Sequence, residues 1–137
     1  MRSESSEGRP NRRAFIGQLG EDLAASYVVG LGWSVLERNW RCRYGEIDLI
    51  ANDNVVLDPT LVVVEVKTRA SRVFGDPAQA VTADKLSRLR RLTRIWLTEQ
   101  EMFWPNIRFD VISVQLDTHY PDRTEFAAVR HHTGVFE

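Results

Sequence analysis

At 137 residues the chain has the size of one domain, long enough to bury a core without disulfides or a structural metal. Hydrophobic residues make up 43% and charged residues 27%, the balance of a soluble globular protein, and no apolar run nears the roughly 20 residues of a membrane span. The net charge of −1 argues against a uniformly basic nucleic-acid-binding surface. The single cysteine, Cys42, can close no intramolecular disulfide and cannot build a zinc site without several histidines beside it. With no apolar stretch of a secretory signal at the N-terminus, the expected location is cytoplasmic, away from membranes.

Residues 1–12 carry Ser, Glu, Gly, Pro and Arg with almost nothing apolar, and are expected to be a frayed tail. From Arg13 to about Leu31, Ile16, Leu19, Leu23, Ala24, Tyr27, Val28 and Leu31 recur at helical spacing, with Glu21 at the margin of their arc. Gly30 and Gly32 then end the helix. Trp33 to Trp40 predicts a first strand, 41–45 a turn, and Glu46 to Ala51 a second strand. A longer, proline-broken turn at 52–60 leads to Leu61–Thr68, dense in β-branched residues and apolar enough for a central strand buried on both faces.

Asp76-Pro77 can open a short helical turn, and a longer helix follows from about Thr82 to Gln100. Arg108 to Val114 predicts a fourth strand and Glu125 to Arg130 a fifth, with 131–137 as a C-terminal tail. His119, His131 and His132 read as incidental. The expected architecture is α/β, one domain over 13–130 with a mixed central sheet flanked by helices.

Strand alternation puts Glu65 and Lys67 on one face of the third strand, and Glu46 and Asp48 on one face of the second. Charges inside so apolar a strand must be paired or bind a metal, because burying an unpaired charge costs several kcal/mol. One reading is a cross-strand salt bridge of Lys67. The other is chemistry: Asp48 and Glu65 as oxygen ligands of a hard divalent metal, the Val66 carbonyl as a third, and Lys67 orienting a water and stabilising charge on phosphorus.

The string GEIDLIA at 45–51 followed by VVVEVKTR at 62–69 resembles the PD-(D/E)XK nuclease core, in which an acidic residue precedes an E-x-K strand. With GEDLAASYVVGLGW at 20–33, ERNWRCRYGEIDLIA at 37–51, FGDPAQAV at 74–81 with Lys85, and RFDVISV at 108–114, the chain resembles the small endonuclease-like YraN-type family, which is similar to archaeal Holliday junction resolvases. The resemblance implies a restriction-endonuclease-like αβββαβ core and a nuclease site. Asp48 and Glu65 would be metal ligands for Mg²⁺ or Mn²⁺, Lys67 the catalytic lysine, and Glu21 an additional acid at the metal. Gln79 or Lys85 would supply a polar residue from the following helix.

Lys85 falls inside the apolar arc of its helix, so it either snorkels to solvent or reaches a phosphate or carboxylate near the site. Arg41, Arg43 and Arg88 are candidates for phosphate contacts, while Arg91 and Arg94 read as solvated. Tyr44 and Trp40 could stack on a base or be rim aromatics. Asp110 is expected to brace Arg108 or Lys85, or to cap a polar spot in the core.

The expected function is hydrolysis of DNA, branched or junction DNA included, by a homodimer if cutting is symmetric or within a larger DNA-processing complex. The alternative is a nucleic-acid-binding or partner-binding module that keeps the fold without turnover.

Overall fold

Two helical stripes and one run of β-branched residues determine how the chain stacks. The computed structural model describes residues 4–71 and 82–135. Helix α1 spans Glu4–Gly30, followed by β1 (Ser34–Cys42), β2 (Gly45–Asp53) and β3 (Thr60–Arg69). Helix α2 (Ala83–Thr98), β4 (Asn106–Gln115), a 3-10 turn at Thr124–Phe126 and β5 (Ala128–His132) complete the order.

The strands form one sheet in the order β1-β2-β3-β4-β5. Neighbours run antiparallel except β3 and β4, which are parallel and joined across α2. The run VVVEV at 62–66 thus lies in the central strand, as its composition predicts. Alternate residues of β3 serve two cores. Val62 and Val64 pack with Leu49, Ile112 and the α1 residues Ala24 and Val28. Leu61 and Val63 pack with Ile50 and the α2 residues Leu89, Leu92 and Trp96. Each face of the sheet is therefore closed by one helix.

Helix α1 ends where glycine permits. Gly32 has φ of 96°, and the amides of Leu31, Gly32 and Trp33 bond back to carbonyls of Tyr27, Val29 and Val28. Thr82 caps α2, its hydroxyl accepting from the Lys85 amide at 3.2 Å.

Two expectations on element bounds change. Helix α1 begins at Glu4 instead of near Arg13, so most of the expected tail is helical backbone. That segment has no apolar stripe, and hydrophobic periodicity could not reveal it. The fifth strand runs over Ala128–His132, so His131 and His132 belong to the sheet. The expected helical turn at Asp76-Pro77, and Gln79 with it, lies outside the described residues.

The architecture is α/β, a mixed five-stranded sheet between two helices, in the αβββαβ order of a restriction-endonuclease-like core.

Candidate active site

The sheet is irregular where the acidic residues gather. The β2–β3 ladder runs from Asp53↔Thr60 only to Leu49↔Val64. Beyond it the Val66 amide donates to the Asp48 carboxylate, Oδ2 at 2.8 Å, in place of a backbone acceptor. On the other side, the pairs Arg38↔Leu49 and Trp40↔Ile47 put Asn39 opposite Asp48, and Asn39 has φ of 52°. Asparagine tolerates this left-handed conformation better than most residues. Ile47 and Ile50 both pack on the α2 side, so the simple alternation of β2 is broken around Asp48. The two strands part here, and a gap opens at the end of the sheet.

Cavities ring that gap. On the α2 side one of about 260 Å³ is lined by Glu46, Asp48, Glu65, Lys85 and Arg88. A second, between α1 and β1, is lined by Gly17, Glu21, Asn39, Arg41 and Glu46. A third, between α1 and the end of β3, is lined by Arg12, Arg13, Glu21, Val66 and Lys67. Glu46 borders the first two and Glu21 the last two, so the rim is continuous.

Burial pushes the Asp48 carboxyl up to about 7, and the negative charge of Glu65 adds to this. The Val66 amide pulls the other way, while Glu21 and Glu46 raise it further. Among the described residues Asp48 has no ion-pair partner. Glu65 does: Lys85 reaches across from the first turn of α2 and pairs with its carboxylate. Of the two outcomes open to Lys85, the structure has the carboxylate contact.

The expected residues therefore divide between cavities. Asp48 and Glu65 open on the α2 side, whereas Lys67 lines the α1-side cavity with Glu21. Arg88 lines the Asp48 cavity, and Arg41 pairs with Glu46 at 3.0 Å. Arg43 and Arg91 lie over the Tyr44 ring, 5.2 and 4.0 Å from its centroid, so Arg91 is engaged and not simply solvated. Trp40 packs against the α2-side core.

Among the described residues no three His, Cys, Asp or Glu side chains form a ready metal cage. The donor set still fits a hard divalent cation that keeps several waters: two carboxylates, Asp48 and Glu65, line one cavity, and an unpaired, half-buried carboxylate is what such a cation relieves.

Asp110 lies apart from this cleft. Arg108 grips it bidentately at 2.9 and 3.0 Å and also reaches Asp53 at 3.2 Å. His131 Nε2 contacts it at 2.8 Å, and the Gly134 amide donates to it at 2.9 Å. Asp110 braces Arg108, one of the expected roles. His131 is not incidental: its Nδ1 also meets the Tyr27 hydroxyl at 3.1 Å, tying β5 to α1. Asn39, Arg12 and Arg13 were not legible as site residues. The only signal for Asn39 was its residue type, and the arginines sit before the apolar stripe begins.

The family model described as Uncharacterised protein family UPF0102 matches residues 20–114. The chain belongs to the UPF0102 family. A UPF0102 protein of Mycolicibacterium gilvum is 51% identical over 79% of this chain and 86% of its own length. One of Mycolicibacterium vanbaalenii is 49% identical over 90% of this chain and 94% of its own. One of Nocardia farcinica is 48% identical over 83% and 87%. The matched span of the UPF0102 model takes in Glu21, Asp48, Glu65, Lys67 and Lys85, and leaves out Arg12, Arg13 and His131.

Proposed function

We propose that this UPF0102 chain is a metal-dependent endonuclease of the PD-(D/E)XK type that hydrolyses phosphodiester bonds of DNA, branched or junction DNA among its substrates. The observation that carries the reading is Asp48: a half-buried carboxylate at the parting of two strands, crowded by Glu65, Glu21 and Glu46, with no cation paired to it among the described residues. A folded protein tolerates such crowding when function requires it. Asp48 and Glu65 would hold Mg²⁺ or Mn²⁺, with the Val66 carbonyl and Glu21 as further oxygen donors. When bound, the metal supplies Lewis-acid polarisation of the phosphate and a more acidic water.

The chain's own residues do the rest. The Val66 amide fixes the orientation of Asp48. Lys85 neutralises Glu65 and is positioned to transfer its charge to a phosphate once Glu65 has another partner. Lys67 carries positive charge at the mouth of the gap, where charge builds on phosphorus. Arg88, Arg41 and Arg43 are the nearby cations for flanking phosphates. Junction cutting on both strands calls for a homodimer, and the weakly acidic chain fits a cytoplasmic role inside a larger DNA-processing complex.

One observation favours a second reading, a nucleic-acid-binding or partner-binding module without turnover: no three-ligand group is preformed among the described residues, and Glu65 is already paired. A single set of measurements separates them. The nuclease reading expects nicking or cutting of branched or single-stranded DNA with Mg²⁺ or Mn²⁺, lost in Lys67→Ala with an unchanged circular-dichroism spectrum. It also expects calorimetric metal binding that disappears in Asp48→Ala. Metal binding with no cutting across DNA and RNA substrates would establish the second reading.

A further inference from the structure

Most cations of this protein whose neighbours are described are neutralised or stacked. Arg38 pairs with Asp22, Arg41 with Glu46, Lys85 with Glu65 and Arg108 with Asp53 and Asp110. Arg43, Arg91 and Arg123 lie over aromatic rings. Around the α1-side cavity, of about 500 Å³, the pattern is different. Arg12, Arg13 and Lys67 all line it, and among the described residues none of the three makes an ion pair. Among the described residues Glu21 is the one carboxylate in the lining, so three positive charges face one negative. In a chain of net charge −1, that is a local positive field at the mouth of the acidic gap.

Helix geometry explains the grouping. Arg13, Gly17 and Glu21 are spaced four apart and lie along one face of α1, with Arg12 above Ile16 on the adjoining row. Gly17 faces open space: a Cβ there would meet nothing within 4 Å. Gly20, one turn below Ile16, brings α1 close against Thr68 of β3, which holds this face of the helix beside Lys67. A concave site with excess positive charge, planar guanidinium donors and an apolar floor of Ile16 and Val66 suits a phosphate group.

We infer that Arg12 and Arg13, beside Lys67, form a phosphate-binding subsite, which takes a phosphate of the nucleic-acid strand next to the one at Asp48, Glu65 and Lys67. The inference rests on the nuclease reading for the identity of the strand. The arginines come from the segment that precedes the apolar stripe of α1, and they lie outside the matched family span.

The test is fluorescence anisotropy of the full chain with a labelled single strand and a labelled four-way junction, in EDTA to prevent cutting, across a range of KCl. The expected result for Arg12→Gln/Arg13→Gln is weaker binding and a salt slope shallower by about 1.4 to 1.8, two phosphate contacts' worth. Gly17→Glu, which places a carboxylate in open space, is expected to weaken binding with no loss of melting temperature. Arg94→Gln, on the exposed side of α2, is the control and should match wild type. A 5′-phosphorylated strand compared with its dephosphorylated form distinguishes the sources. Equal loss in both marks a phosphodiester, and loss confined to the former marks a terminal phosphate. An unchanged slope in the double arginine variant, or no nucleic-acid binding by wild type, overturns the subsite. An unchanged slope alongside cutting by wild type leaves the nuclease reading standing. A reduced slope without cutting under any metal keeps the subsite and removes the turnover.

Discussion

Asp48 is where the chemistry of single residues can be weighed. Its carboxyl is pushed from the ordinary 3.8 up to about 7, by burial first and by Glu65 next. A group whose folded pKa is raised binds its proton more tightly in the native state. Its unfavourable contribution is therefore absent below 3.8, grows between 3.8 and about 7, and is complete above that. The full penalty is about 4 kcal/mol at most, and water in the cleft reduces it. Asp48→Asn keeps an oxygen acceptor for the Val66 amide and removes the charge. In metal-free protein it is expected to raise the melting temperature at pH 8 and to leave it nearly unchanged at pH 4. Thermal melts of both proteins at the two pH values check this. A gain that is equal at both would mean the charge is not the cause.

The elements around the site show what could be read in the sequence and what could not. Asp48, Glu65 and Lys67 stood out because charges interrupt apolar strands, and their strands formed where the β-branched runs put them. The division of Glu65 and Lys67 between two cavities did not stand out. Strand parity itself holds, since β3 stays paired with β4 from Thr60 to Arg69, but β3 outruns the β2–β3 ladder before either residue and the two cavities meet at that open edge. The left-handed Asn39, the contact of Lys85 with Glu65 and the role of His131 depend on which elements become neighbours, which local pattern does not encode. Gly20 is similar: its type was visible, but its purpose appears only from the packing. A Cβ there would lie 1.8 Å from Thr68 Oγ1 and 2.6 Å from Thr68 Cβ. Because the Thr68 Cβ cannot rotate away, α1 must move off β3. Gly20→Ala is expected to cost about 1 to 3 kcal/mol in urea unfolding despite the better helix propensity of alanine. It should also weaken any metal binding that involves Glu21 on the next position. Wild-type stability in that variant would show that helix and sheet are less tightly coupled than their spacing implies.

At the scale of the molecule, a buried aspartate and a half-buried one oppose one another. Burial would push Asp110 up, but hydrogen bonds from His131, Arg108 and the Gly134 amide outweigh it and hold the carboxyl below its ordinary value. A depressed folded pKa gives stability that is present above the unfolded value and is lost as pH falls through the folded one. Asp110 joins β4 to β2 through Arg108 and Asp53, and to β5 and α1 through His131 and Tyr27, so its protonation loosens much of one face of the sheet. Asp48 acts on the other limb, lowering stability as pH rises toward about 7. The metal-free protein is therefore expected to be most stable in mildly acidic buffer, near pH 4 to 5 on the ordinary carboxylate values. A divalent cation held by Asp48 and Glu65 competes with the Asp48 proton, so its apparent affinity should rise about ten-fold per pH unit up to about 7 and then level off. Saturating Mn²⁺ should accordingly move the stability maximum toward neutral pH. Asp110→Ala, which leaves Arg108 with Asp53 as its one carboxylate partner among the described residues and frees His131, should cost about 3 to 5 kcal/mol and lower stability across the whole range without moving the metal-dependent limb. Melting curves from pH 3 to 9, with and without Mn²⁺, give both limbs in one experiment. An optimum that Mn²⁺ leaves in place would detach the acidic gap from metal binding.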